Sequence, residues 1–485
     1  MFKGELKGII EPHFYKDLKL IDYEIKTVRA IKLLTSNRLD LAFKLLYLEM
    51  KDIGVVFAKE AYKDHIRAFS LGKFEEPGNE EKTDFDKFLK SFCRTYNDIK
   101  QNGFDKGKTV IPLTNSNSIA NGAHRVASAI YLDKYVDCVR LGIFDHVYDY
   151  NYFYNRNVSR DTLDAVATKF VEYAENVYVA LIWPTAKGND AEIEKIIPNI
   201  VYRKDIQLNS NGAHNLLSQI YYGEDWLGNI ENNYKGSKAK LVECFKTFDP
   251  IRAIAFQANT LDEVLKIKDR IRDVFNVGKH SIHITDTKEE AIRVVRVVFN
   301  SNGIHFLNYA KPNKYKSIHS EISRFKSLLD KNGSNINDVV MDADSTLALY
   351  GIRECDNAQK IFDDNTRFIN YDGTHQDEVP NFHNEKRLEL IYSPSYYFYF
   401  DDLKFVSFSQ LYKFKKNRSK EKDISDCGMM EALIENNVSK QLMSKLKQRF
   451  SYAKIKLIHK VLELLKSTNL YFVARKIYRL VKRRK

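Results

Sequence analysis

NSNSIANGAHRVASAIYL, residues 115–132, is the stretch whose reading decides the fold. A polar turn at Asn121-Gly122 runs straight into Ala123, His124 and Arg125, and a helix-forming run continues from Val126 to Leu132. Glycine lets the backbone turn sharply where a helix begins. The first amides of a helix lack intrahelical partners and carry the positive end of its dipole. A turn with free N–H groups, an imidazole and a guanidinium in the first helical turn suits a phosphate. The same residues also fit an ordinary capped helix with a surface arginine.

Outward from that turn, Thr109 to Leu113 reads as a short strand leading in, and Val136 to Leu141 as the strand that follows the helix. Upstream, residues 17–100 read mainly as helix. Ile25, Val28, Ile31 and Leu33 begin a helical stripe, Leu39 to Tyr47 continue it, and a further helix spans about Asp84 to Gln101. Glu75 to Asn79 is a turn. Downstream, Arg156, Arg160 and Asp161 occupy a polar connection, Leu163 to Tyr173 is helical, and Tyr178 to Trp183 is a buried strand closed by Pro184.

Asn211-Gly212-Ala213-His214 echoes the central turn, with Asn215 in place of the arginine. Duplication and chance similarity of two helix starts both remain open. Arg203, just upstream, is the candidate to supply the missing cation. From residue 251, strand and helix alternate. Ile254–Gln257, Ser281–Thr285 and Ile304–Asn308 read as strands, which predicts a mixed or parallel sheet. His280, His283 and His305 lie in or beside these strands and are candidate substrate contacts. Strand residues three apart face opposite sides, so His280 and His283 make poor partners for one metal, and no metal site is assigned.

The chain has 485 residues, 44% hydrophobic and 29% charged, enough for two to four domains with sizeable cores. Its formal charge of +13 is unevenly placed: residues 440–485 hold fifteen Lys or Arg against Glu463 alone, which leaves the remainder near −1. Nucleic acid is therefore not an expected partner. In the tail Leu470, Val473, Ala474, Ile477 and Val481 recur at helical spacing among Arg and Lys. That pattern suits an anionic membrane surface, and also a solvated basic helix packed on the body. Five scattered cysteines without a C-x-x-C pair fit reduced thiols in the cytoplasm. No leader-like or membrane-spanning apolar run stands out, so the expected location is cytoplasmic, peripheral on the inner face of the membrane.

Three resemblances add to these readings. Asn121-Gly122-Ala123-His124-Arg125, with Ser128 and Ala129, resembles the Gly-x-His-Arg signature of the ParB/sulfiredoxin-like superfamily, over about residues 85–145. The resemblance implies a small α/β domain that binds nucleotide phosphates at this loop, through Asn121, Gly122 and Arg125. Ala123 stands where sulfiredoxin has its cysteine, so sulfinic-acid repair is not implied. Val339 to Ser345, the helix Leu347–Gly351, Arg353 and the later Lys413, Lys416, Arg418, Lys422, Asp423 and Asp426 resemble a polymerase-β-type nucleotidyltransferase domain. Its metal-holding D-x-D reads Asp356-Asn357-Ala358 here, with the second acid missing, which implies a degenerate domain. Lys386 to Tyr392 would be a further strand of it. Finally, Lys7 to Pro12, Glu76 to Asn79, the NGAHR loop and Tyr222 to Gly228 resemble transferases encoded in bacterial capsule and lipopolysaccharide loci.

The resulting expectation is a mixed α/β chain. Residues 1–185 form a helical segment plus the phosphate-binding domain, 186–317 an α/β middle region, 318–435 the nucleotidyltransferase-like domain, and 436–485 basic amphipathic helices. The expected function is a transferase that moves a phosphorus-bearing group, such as methyl phosphoramidate, from a nucleotide-activated donor to a sugar hydroxyl of a polysaccharide acceptor. His124 and Arg125 would be catalytic, His214 and Arg203 would assist phosphate binding, and Mg²⁺ is the only cofactor candidate. The alternatives are a glycosyltransferase with a nucleotide-sugar donor, a ParB-like nucleotide- or nucleic-acid-binding protein, a small-molecule kinase and a non-catalytic scaffold.

Overall fold

The computed structural model describes residues 1–16, 18–76, 82–105, 107–355, 358, 360–363, 387–435, 457, 460–468 and 471. The expected turn at Pro77–Asn79, the Asp356-Asn357 pair expected to stand for a D-x-D motif and the amphipathic stripe of residues 470–481 lie outside them. The fold is mixed α/β, with three small sheets embedded among helices.

The first sheet combines β1 (Ile25–Arg29), β2 (Ile111–Leu113) and β3 (Tyr135–Arg140), with β3 in the middle. β1 runs antiparallel to β3, pairing Ile25 with Val139 and Val28 with Val136; β2 runs parallel to it. The helical stripe expected from Ile25 is therefore a strand followed by the 3₁₀ turn Ala30–Leu33. Ile25, Thr27 and Val28 are β-branched, and an open edge of β3 was available to pair with them. Between β1 and β2 lie helices Asp40–Met50, Val56–Phe69 and Phe85–Asn102. Asp84 caps the last of these by accepting from the Lys87 amide, and Gly103 ends it at φ 75°. The first helix is buried on nearly every side, only Glu49 standing clear of the interior.

The second sheet has the order β5-β6-β4-β7, from β4 (Val177–Ile182), β5 (Ile200–Ile206), β6 (Ile251–Gln257) and β7 (Ile282–Ile284). Every pairing in it is antiparallel, not the parallel or mixed arrangement expected from the alternation of strands and helices. β4 and the Ala253–Phe256 stretch of β6, at the centre of the sheet, are apolar and buried on both faces, which is why they read as hydrophobic runs. The segment expected as a strand over Ile304–Asn308 is instead the helix Ser301–Tyr309, capped by the Asn300 side chain, which accepts from the amides of Asn302 and Gly303.

The third sheet has the order β10-β11-β8-β9, from β8 (Val339–Met341), β9 (Lys360–Phe362), β10 (Tyr397–Phe400) and β11 (Leu403–Val406). β8 is parallel to β11 and antiparallel to β9. Arg387–Tyr392, expected as a strand, is a helix. A continuous apolar core runs from Ala30 to Met430 and touches all three sheets.

Candidate functional site

Gly122 adopts a left-handed conformation, φ 89° and ψ 23°, and opens the helix Ala123–Tyr131 without a side-chain cap on its first amides. Asn121 Oδ1 accepts from the Gly122 amide and tightens the turn. Arg125 folds back over the glycine. A Cβ at position 122 would lie 2.9 Å from Arg125 Nη2 and 3.0 Å from Ile111 Cδ1, so the missing side chain is what seats the guanidinium there. Arg125 Nη1 donates to Thr109 Oγ1, and Nη2 reaches Glu11 Oε1 at 3.1 Å. Glu11 Oε2 is buried and has no hydrogen-bond partner among the described residues. The carboxylate is thus held by one oxygen only.

His124 turns to other neighbours. Its Nε2 lies 2.8 Å from the Tyr62 hydroxyl, and its ring packs on Phe92 with centroids 4.6 Å apart. Burial holds the Tyr62 phenol well above its usual range, so the hydrogen bond joins a neutral phenol to a neutral imidazole, and the histidine tautomer decides which of the two donates. Burial, then the charge of Lys44 and Lys82, pushes the His124 pKa well below 6.5. The two residues are adjacent in sequence, yet they engage different elements: Arg125 the N-terminal segment and the residues before β2, His124 the helical layer.

Behind His124 lies a buried network that sequence reading missed. Arg38 forks onto Asp40 with two bonds of 2.8 Å and donates to Ile119 O, pinning the chain just before the turn. Lys44 Nζ lies 3.1 Å from Asp40 Oδ2 and 3.2 Å from His65 Nε2. Burial alone would raise the Asp40 pKa, but Arg38 and Lys44 outweigh it and hold the group below the usual carboxylate range. Burial pushes Lys44 down to about 8 and His65 well below 6.5. Two cations face one anion, so an excess positive charge sits beneath the loop. The available signal was Asp40 and Lys44, one helical turn apart inside an otherwise apolar run.

No protein-family model, curated protein or solved structure matches this chain.

The remaining candidates do not converge on the loop through any bond. Arg203 is engaged by Asp190, Glu194 and Asp205. His214 Nε2 lies 3.2 Å from Asn233 O. Gly212 sits inside the helix Ser210–Ile220, two residues after its start, where Gly122 is a left-handed cap. The two NGAH turns therefore differ in geometry. The better match to residues 209–214, NSNGAH, is NSNGIH at 300–305: in both, the first Asn caps a helix and accepts from the glycine amide. His280 ends a 3₁₀ turn at Gly278–His280, and His283, in β7, meets Glu290 at 2.9 Å. His305 lies in a helix rather than a strand, with Nδ1 2.9 Å from the Tyr350 hydroxyl. Among the described residues no group of three or more His, Cys, Asp or Glu is placed to hold a metal ion.

In the section from residue 318 to 435 the charges do come together. Arg353 joins Asp344 to Asp426, the latter at 3.0 Å; Lys415 reaches Asp426 at 2.8 Å and Asp423 at 3.3 Å; Arg418 reaches Asp423 at 2.6 Å; Lys422 lies 3.7 Å from Asp344. Each of these carboxylates meets two cations. The arrangement ties helices Phe408–Arg418 and Glu421–Ile434 to the end of β8.

Proposed function

We propose that the chain is a transferase of cell-surface polysaccharide synthesis, binding the phosphates of a nucleotide-activated donor at the loop 121–125 and passing a phosphorus-bearing group, such as methyl phosphoramidate, to a sugar hydroxyl. The observation that carries this reading is the seat of Arg125: a guanidinium laid across a left-handed glycine at an uncapped helix start, paired with a carboxylate that has an unsatisfied oxygen. A phosphate entering the turn would meet the helix amides and replace Glu11 on Arg125, a charge-assisted and bidentate exchange. The excess positive charge of the Arg38–Asp40–Lys44 network favours an anion at the same place.

The balance of the step is simple. The sugar oxygen bonds to phosphorus, the bond from phosphorus to the nucleotide oxygen breaks, and the nucleotide leaves with that electron pair. The hydroxyl proton passes to a base. Glu11, once released from Arg125, is the carboxylate beside the loop and takes that role. His124 is kept neutral and is occupied at Nε2 by Tyr62, which suits holding the loop better than forming a phosphoryl adduct. Arg125 neutralises charge on the transferred group. A peripheral seat on an anionic membrane, where lipid-linked acceptors are found, is part of the same proposal.

Calorimetry with UDP and CDP tests the site. Arg125→Lys keeps the charge but loses the planar fork, and should weaken binding about tenfold or more. Glu11→Gln removes the competing anion and should tighten binding while abolishing transfer. Equal affinities in wild type and Arg125→Lys would overturn the reading.

A further inference from the structure

β5 ends at Ile206, and Gln207 to Asn209 carry the chain into the helix Ser210–Ile220. An open cavity of about 380 Å³ lies at this crossing, walled by Gln207, Asn209 and Ser210 on one side and by Phe248, Asn308 and Tyr309 on the other. Its size falls at the lower end of small-ligand pockets, roughly 300–1,000 Å³.

The walls are fixed by side-chain amides. Asn308 Oδ1 accepts from the Asn209 amide at 2.9 Å, Asn209 Nδ2 donates to Asn308 O at 3.1 Å, and Asn308 Nδ2 donates to Gln207 O at 3.2 Å. Gln207 Nε2 donates to Phe248 O at 2.6 Å and draws the Phe248 loop against β5. A Cβ at Gly212 would lie 2.3 Å from Asn308 Oδ1, so the glycine is required for this clasp. Among the described residues, the Gln207 side-chain oxygen and the hydroxyls of Ser210 and Tyr309 make no hydrogen bond, so these lining groups are left for a ligand. Phe248 is 41% exposed.

None of the lining residues carries a charge. The start of this helix is already capped by Asn209, whose Oδ1 accepts from the Gly212 amide at 2.8 Å. A phosphate would find neither a cation nor that amide. Two aromatic rings beside neutral donors and acceptors suit a ligand with an apolar C–H face and a rim of hydroxyls. We propose that this cavity binds one uncharged sugar ring, holding a polysaccharide chain at a point separate from the loop 121–125. Calling that chain the acceptor rests on the transferase reading; the preference for an uncharged sugar does not.

The probes are neutral hexasaccharides of glucose, galactose, mannose and N-acetylglucosamine, and oligogalacturonate of equal length, titrated calorimetrically into the full chain. At least one neutral probe should bind, and more tightly than oligogalacturonate. Phe248→Ala, at an exposed ring, should weaken that binding about tenfold with the circular dichroism spectrum unchanged. Tyr309→Phe, which keeps the ring and removes the hydroxyl, should weaken it several-fold. UDP affinity measured on the same samples should not move with either variant. Failure of every neutral probe, equal binding of oligogalacturonate, or sugar binding unaffected in Phe248→Ala overturns the proposal. Loss of UDP binding with sugar binding intact would instead remove the transferase reading and leave the sugar site standing.

Discussion

Gly122 and Arg125 constrain each other, and the loop should report it when either is changed. Gly122→Ala places a methyl group 2.9 Å from Arg125 Nη2 at φ 89°. The left-handed backbone and the contact together should cost about 1–3 kcal/mol. Urea unfolding checks it, and a change within about 0.5 kcal/mol would mean the turn is not seated as described. The buried imidazoles make a second residue-scale prediction. His65 and His124 sit well below 6.5, and burial lowers His305 to about 4. A histidine depressed in the folded chain is protonated first in the unfolded one. Its contribution is complete above about pH 6.5 and is lost as pH falls toward the folded value, at up to about 1.4 kcal/mol per unit for each group. Lys404, pushed down to about 7 by burial, acts above this window. Stability should therefore drop between pH 6.5 and 5, and His305→Gln should make the drop shallower. A urea midpoint flat across that range would show that these rings are not buried neutral.

Asn215, which stands where the central motif has its arginine, has an element-scale role. Its Nδ2 donates to Leu307 O at 2.8 Å and Ala310 O at 3.0 Å, closing the end of the helix Ser301–Tyr309. Asn211 reaches the same carbonyls at 3.1 and 2.8 Å. Asn215→Ala removes two buried hydrogen bonds and leaves Asn211 as the side chain on those carbonyls, which should lower stability by about 1–3 kcal/mol. Asn211→Ala should cost less alone, and the pair should be non-additive in a double-mutant cycle because they share acceptors. Full additivity would separate the two contacts. The helix start at Asp84 was legible because a capping side chain precedes the apolar period. The turn at Gly122 was legible for a similar reason: glycine stands directly before a helical run. The strand at Ile25 and the helix at Ser301 were not, because a short apolar run carries too little period to choose between the two states. Asn300 offered the deciding cap and was passed over. What no local pattern holds is the divergence of His124 and Arg125, since their partners Tyr62 and Glu11 are 62 and 114 residues away along the chain.

For the whole molecule, the distribution of charge matters more than its total. The described body is held by a main apolar core with two smaller apolar clusters, and by largely buried ion pairs that link helices, such as Glu172 with Lys169 at 2.6 Å and with Arg296 at 2.8 Å, while Lys169 also meets Glu49 at 2.7 Å. These bonds and the core join residues outside 440–485, and the body is expected to fold without that tail. The tail carries a net +14. Its described helical part, residues 460–467, exposes apolar side chains: Val461 and Leu464 are at the surface, with Leu457 one turn before them. Among the described residues no helix is long and apolar enough to cross a membrane. Exposed apolar side chains among cations instead suit the plane of an anionic bilayer, where each cation near the surface adds roughly 1 kcal/mol. Removing residues 440–485 should release the protein from vesicles containing phosphatidylserine or phosphatidylglycerol, with the thermal midpoint of the body little changed. Because the Debye length shrinks from about 30 Å at 0.01 M salt to about 8 Å at 0.15 M, binding of the full chain should weaken over that range. Neutral phosphatidylcholine vesicles should hold it weakly at either salt concentration. Equal co-sedimentation of the full and shortened chains with anionic vesicles would show that the tail does not anchor the protein, and would leave its exposed leucines to a protein partner.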